Sequence, residues 1–254
     1  MNMDYKIVYV FNGFNWLWRQ LMLSLMTMRG FVKDKIVVFY GPPRFDEHIS
    51  WLQQRCDLKL VDTPLNTPEF KLECKHFGNR FYGVPMKLHA FSVDSKIMIH
   101  LDCDTIIHSN PLDLLKGDYD MLVGQWDDNR ADNLRLRENC EKLGLPYWPF
   151  QMDGFYIFKN SSHLKFKPIY EEYLIRLLKD ELTPHDGIHI NLHAYNLAIN
   201  HFRRDGFKVE RMPRNYHAYA GGKYVQHLAN REIATWMESR IFSDEEQRLK
   251  DIGA

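Results

Sequence analysis

Cysteine is scarce in this chain: Cys56, Cys74, Cys103 and Cys140 are the only four in 254 residues, and they are widely spaced. With no C-x-x-C pair, neither a disulfide framework nor a thiolate zinc site is implied, and reduced thiols in a cytoplasmic protein are expected. An excess of either charge is missing too. Lys plus Arg and Asp plus Glu are 33 each, so no global basic field recruits nucleic acid or an anionic membrane. No apolar run reaches the length of a membrane span, and MNMDYKIVYV has too short an apolar stretch before Asn12 and Gly13 for a signal peptide. Linkers rich in Gly, Ser or Pro, internal repeats and low-complexity segments are all absent, so 1–254 is expected to form one domain.

What is present is ample material for a core: 45% hydrophobic and 14% aromatic residues exclude general disorder. The first third alternates strand and helix signals. Lys6 to Val10, Lys35 to Tyr40 and Leu58 to Asp62 read as strands, and Trp16 to Met28 and His48 to Arg55 as helices. The first helix is apolar on most faces, stops at Gly30 and lacks a basic face, which fits a buried helix better than a membrane-surface one. Repeated β-α-β units predict an α/β domain with a mainly parallel sheet. Further on, helices are expected at Met86 to Ser92, Asn133 to Leu143, Ile169 to Lys179 and Gly187 to Phe202. Strands are expected at Tyr119 to Gly124, Gly154 to Phe158 and Lys223 to Leu228, and an amphipathic tail at Ile233 to Lys250.

The stretch Lys96 to Ser109, KIMIHLDCDTIIHS, is the most informative. An apolar run without alternation is the mark of a strand covered on both faces, and ligands of open α/β sheets collect at the carboxyl ends of such strands. Asp102 and Asp104 stand at that end. Paired carboxylates there predict a hard divalent cation, Mn²⁺ or Mg²⁺, held together with substrate phosphates. A second D-x-D, Asp118 with Asp120, follows Lys116 and Gly117 and reads as a solvated turn.

Four pieces of sequence around this strand occur in a telling order: MKLHAF (86–91) leading into KIMIHLDCDTII, then QMDGFYIFKN (151–160), HDGIHINLHAYN (185–196), and RMPRNYH (211–217) followed by YVQHLAN (224–230). Their order resembles the GT-A class of nucleotide-sugar-dependent glycosyltransferases, particularly the bacterial lipopolysaccharide galactosyltransferase and glycogenin type. The resemblance implies a GT-A-like, Rossmann-like fold, with 1–124 as nucleotide-binding half and 125–254 as acceptor-binding half with a C-terminal helix. It also implies transfer of a sugar from a nucleoside diphosphate, uridine-linked, to an acceptor hydroxyl. His227 would then join Asp102 and Asp104 as third metal ligand, with His217 the competing candidate, and Asp186 and Asp153 would be the catalytic or sugar-binding carboxylates. Lys87, at the start of the preceding helix, would neutralise diphosphate charge, and Cys103 lies inside the D-x-D. The loops Phe11 to Asn15, with Phe11 and Asn12, and Val61 to Thr63, with Val61 and Asp62, lie where base and ribose should dock. Three positions depart from the pattern: Leu-Ala-Asn-Arg follows His227 where Gly, Lys and Pro-Trp are usual, Asp153 replaces Asn or Ser, and Gly187 replaces Gln.

Other readings of the same residues stay open here. A haloacid-dehalogenase-type phosphatase also carries D-x-D after an apolar strand, but there the motif opens the chain. Here three strand-helix units precede it, and Ile106 stands where Thr or Val is usual. A non-catalytic nucleotide-sugar binding module is a third option. His185, His189 and His193 repeat every four residues, a metal-ligand spacing, yet lack the glutamate of H-E-x-x-H and any Cys partner. Trp126, Tyr147, Trp148 and Phe150 supply aromatic faces for sugar rings or for the core.

Asp186 starts a helix, where capping alone accounts for an aspartate. Asp186→Asn keeps a capping oxygen and removes the charge, so the variant should melt like the parent and lose donor turnover. Full turnover would leave the residue a cap.

Overall fold

The computed structural model describes residues 3–13, 15–65, 84–125, 132–182, 190–218 and 222–228. The expectations for Asp186, His185, His189, Trp126 and the tail Ile233 to Lys250 lie outside these residues. In chain order come β1 (Tyr5–Phe11), α1 (Asn15–Arg29), β2 (Ile36–Tyr40), α2 (Asp46–Gln53), β3 (Asp57–Leu60), a 3-10 helix (Val84–Ser92), β4 (Ile97–Leu101) and β5 (Thr105–Ile107). A second 3-10 helix (Pro111–Lys116), β6 (Met121–Gln125), α3 (Asp132–Leu143), β7 (Gln151–Phe158) and α4 (Ser162–Leu178) follow. The last elements are α5 (Ile190–Arg204), β8 (Val209–Arg211), β9 (His217–Ala218) and β10 (Val225–His227).

Seven strands form one sheet in the order β3-β2-β1-β4-β7-β6-β8, and β7 alone runs against its neighbours. The α/β class and mainly parallel sheet expected from the sequence are therefore present. The apolar runs mark strands buried on both faces. Along β1, Ile7, Tyr9 and Phe11 enter the core under α1 and α2, while Val8 enters the opposite core with Phe91, Tyr156, Phe166 and Tyr195. Among the described residues no helix is long and apolar enough to cross a membrane.

Several expectations are corrected. The 86–92 helix is a 3-10 helix beginning at Val84; it sets Leu88 and Phe91, three apart, into the core and leaves Lys87 half-buried. The helix placed after Pro168 begins at Ser162 and runs through the proline. β7 starts at Gln151, three residues before the expected Gly154, so Asp153 lies inside the strand, at the irregularity where its pairing with β6 shifts between Val123 and Gly124. The edge strands β8 and β9 are too short for a periodic pattern and were not legible.

A small second sheet, β5-β10-β9, is what closes the site. β10 pairs antiparallel with β5 so that His227 lies opposite Thr105, and Leu228 N donates to the Asp104 carbonyl at 2.7 Å. This sheet docks on α1 through Leu23, Ile106 and Leu228, and Thr27 Oγ1 accepts from Ile107 N at 3.1 Å. Thr105 is fully buried; its Oγ1 donates to the Asp102 carbonyl at 2.7 Å and hydrogen-bonds Ser24 Oγ at 2.9 Å, which in turn lies 3.1 Å from the Tyr9 hydroxyl. The aspartate turn is thus pinned to α1 and β1 by three hydroxyls. Thr105→Val keeps the shape and strands these partners, and chemical denaturation should show a loss of about 1–3 kcal/mol. A loss within the error of the measurement would mean that the turn holds without them.

Candidate active site

β1, β2, β3, β4, β6 and β8 all end at one rim of the sheet, and β7, running the other way, begins there. Asp102 follows β4 directly. Its backbone N donates to the Gly154 carbonyl at 2.9 Å, so β7 places Asp153 beside it. Lys87 Nζ sits between the two carboxylates, 3.0 Å from Asp102 Oδ1 and 2.7 Å from Asp153 Oδ2. Asn191, at the start of α5, donates to the same Asp153 Oδ2 at 3.1 Å. Asp102 Oδ1 also lies 3.0 Å from Nε2 of His100, a fully buried residue of β4.

His227 Nε2 lies 3.1 Å from Asp104 Oδ2. One ligand atom from each of Asp102, Asp104 and His227 falls within 4.8 Å of the other two. Between the two histidine candidates, the structure brings His227 to the aspartates. His217 lies behind it, with ring centres 5.7 Å apart. Both rings occupy a hollow floored by glycine. A Cβ at Gly154 would stand 2.7 Å from His227 Nδ1 and 3.2 Å from His217 Cε1, and one at Gly124 2.6 Å from His217 Nδ1.

Charge is distributed unevenly over these groups. Burial disfavours the Asp102 carboxylate, but the Lys87 ammonium and then His100 overcome it and hold its pKa well below the usual range. Burial likewise opposes the Lys87 charge, and Asp102 and Asp153 outweigh it. For His227 burial is overcome by Asp104, which raises the imidazole to about 8. His217 has no such partner, and burial, with His227 beside it, depresses it to about 3.

Not every expected residue faces the site. Phe11 is fully buried against Trp18 and Tyr40, and the Cys103 thiol turns into the same core and donates to the Val10 carbonyl at 3.1 Å. Their side chains therefore offer nothing to a ligand: Phe11 faces inward at the end of β1, and Cys103 does so in the turn after β4, orientations that position near the rim does not reveal. Asn12 is half-buried and Val61 partly buried at the rim; the Asp62 side chain is exposed and pairs with Arg44 at 2.9 Å. The Asp62 carbonyl meets His89 Nε2 at 2.8 Å, tying this loop to the helix that carries Lys87. His193 is buried and bonded to Asn139 at 3.0 Å, which gives it a place in the core. Phe150 is core, whereas Trp148 is half-buried under the guanidinium groups of Arg203 and Arg211, at 4.3 and 4.5 Å from its ring. Asp118 is exposed and paired with Lys208, as a solvated turn requires.

His100 and Gly124 were not singled out from the sequence. A lone histidine in the apolar strand IMIHL was the available signal for His100; Gly124 gave none, since its role depends on a ring from a distant strand.

Solved structures share this architecture, the following two among them. Mouse xyloside xylosyltransferase 1, in its apo form, matches with a TM-score of 0.53 and 10% identity over 88% of this chain and 97% of its own. The galactosyltransferase LgtC, in complex with donor and acceptor sugar analogs, matches with a TM-score of 0.60 and 10% identity over 93% of this chain and 94% of its own. No family model and no curated protein matches the sequence. At this identity the likeness is one of fold, and the GT-A-like fold implied by the order of the motifs is the fold the chain has.

Because His227 is raised to about 8, the folded metal-free protein holds its proton more tightly than the unfolded chain, whose histidines titrate near 6.5. Its contribution to stability is complete below pH 6.5 and is lost as pH rises through 8. His217 has the opposite sign, its contribution fading as pH falls below 6.5. Melts in EDTA should show stability declining between pH 6.5 and 8.5 in the parent and a flatter profile in His227→Ala. An unchanged slope in the variant would remove His227 as its source.

Proposed function

We propose that the chain is a metal-dependent glycosyltransferase that moves a sugar from a nucleoside diphosphate, uridine-linked, to an acceptor hydroxyl. The observation that carries this reading is the convergence of Asp102, Asp104 and His227 within 4.8 Å at the ligand-binding rim of the sheet. Two carboxylates and an imidazole fit a Mn²⁺ ion well and Mg²⁺ less well, since Mg²⁺ favours oxygen alone. Asp102, Asp104 and His227 would hold such a cation, which would supply positive charge to offset the diphosphate and the charge growing on the leaving group.

Around it the chain's own residues divide the remaining work. Lys87 supplies a second positive charge on the far side of Asp102 and holds Asp153 in place. Asp153, braced by Asn191, has a carboxylate to direct at sugar hydroxyls. Asp186, assigned by resemblance, is the carboxylate we place facing the donor. The backbone of Phe11 and Cys103, with Asn12, Val61 and Asp62, shapes the base and ribose end. In this reading 1–124 binds the nucleotide, 125–254 receives the acceptor, and the enzyme works in the cytoplasm with its thiols reduced. A haloacid-dehalogenase-type reaction needs an unencumbered aspartyl nucleophile, and both Asp102 oxygens are engaged by Lys87, one of them by His100 as well.

With saturating Mn²⁺, Asp102→Ala and Asp104→Ala should each reduce hydrolysis of the cognate nucleotide sugar at least a hundredfold, and activity within twofold of the parent would remove them from the site. A thermal-shift screen of nucleotide sugars with and without Mn²⁺ identifies that donor, since a ligand of the native state raises the melting temperature. Binding without hydrolysis or transfer to any acceptor would make the protein a binding module.

A further inference from the structure

The hollow beside the three clustered ligands contains an imidazole that this function leaves unused. His217 stands on β9, opposite Val225 of β10 and so on the strand flanking the one that carries His227. Its side chain is 2% exposed, and among the described residues neither ring nitrogen has a hydrogen-bond partner. An unpaired buried polar atom costs about 1–3 kcal/mol, and native structures carry few of them. A histidine placed only to fill space would be an expensive choice where Phe or Leu would serve.

The surroundings make room for the ring beside His227. A side chain at Gly124 would collide with His217 and one at Gly154 with His227, while crowding His217 as well, so adjoining strands accommodate two imidazoles side by side. The two ring planes are inclined by 32° with centres 5.7 Å apart. Imidazoles sharing one ion through bonds of about 2.1 Å hold their centres roughly 5 Å apart.

We propose that His217 is a fourth protein ligand, turning an Asp-Asp-His centre into an Asp-Asp-His-His centre that favours Mn²⁺, Co²⁺ and Zn²⁺ over Mg²⁺. The proposal rests on the metal-dependent reading above. His217 is not among the three residues whose ligand atoms already lie within 4.8 Å, so its ring has to move towards them on binding. Each imidazole added moves the donor set away from the all-oxygen shell that Mg²⁺ requires.

The test uses the full chain with ¹⁵N-labelled histidine, Mn²⁺ without nucleotide, and two readouts: calorimetric affinity, and the number of histidine nitrogens bound to Mn²⁺ by pulsed electron paramagnetic resonance. Two directly bound nitrogens are expected in the parent and one in His217→Phe, which refills the hollow. The variant should lose at least tenfold in Mn²⁺ affinity and less than twofold in Mg²⁺ affinity. One bound nitrogen in the parent, or equal Mn²⁺ affinity in parent and variant, overturns the proposal while leaving the Asp102, Asp104 and His227 site standing. No Mn²⁺ binding by the parent overturns both. Should His217→Phe fail to fold, the nitrogen count in the parent decides alone.

Discussion

Asp102 and Asp153 can share one corner of the molecule only because the Lys87 ammonium lies between them. β7, inserted against the direction of its neighbours, brings its first residues next to the end of β4, and with them a second carboxylate. Two carboxylates brought together there with no cation between them would repel. Lys87, with its side chain 16% exposed, pairs with both, and together they outweigh its own desolvation. Removing one member of such a cluster leaves an uncompensated buried charge, a loss of about 3–5 kcal/mol, so these residues stand or fall as a group.

The position of Asp153 depends as much on α5 as on the sheet. At the start of β7, where Gln151 stands opposite Gln125 of β6, the Asn196 amide adds a clasp: its Oδ1 accepts from Gln151 N at 2.6 Å and its Nδ2 donates to Gln151 O at 3.0 Å. Asn191, five residues earlier, bonds the Asp153 carboxylate itself. Side chains of α5 thus hold both Gln151 and Asp153, on either side of the point where the pairing of β7 with β6 becomes irregular.

The second half of the site arrives from the other direction. β5 is the short continuation of the chain after Asp104, and it is β10, more than a hundred residues on, that pairs with it and carries His227 to the aspartates. Ser24 and Thr27 of α1 anchor that small sheet by side-chain hydrogen bonds, so the first helix of the fold supports a histidine contributed by its last described strand.

By itself the sequence determined the α/β class, most of the strands, the place of Asp102 and Asp104 at a strand end, and the order of motifs that resembles GT-A glycosyltransferases. These are local properties: apolar runs, carboxylates at a strand end, a spacing of short segments. Only the tertiary structure decided which histidine meets the aspartates, that Lys87 bridges Asp102 to Asp153, that Phe11 and Cys103 turn inward, and that Gly124 and Gly154 make room for two rings. Each of these depends on which strands lie side by side and which face a residue presents, and neither is written in the spacing of residues along one strand. Pairings such as β5 with β10 are fixed by the closure of the whole chain, so the site they build is legible only once the chain is folded.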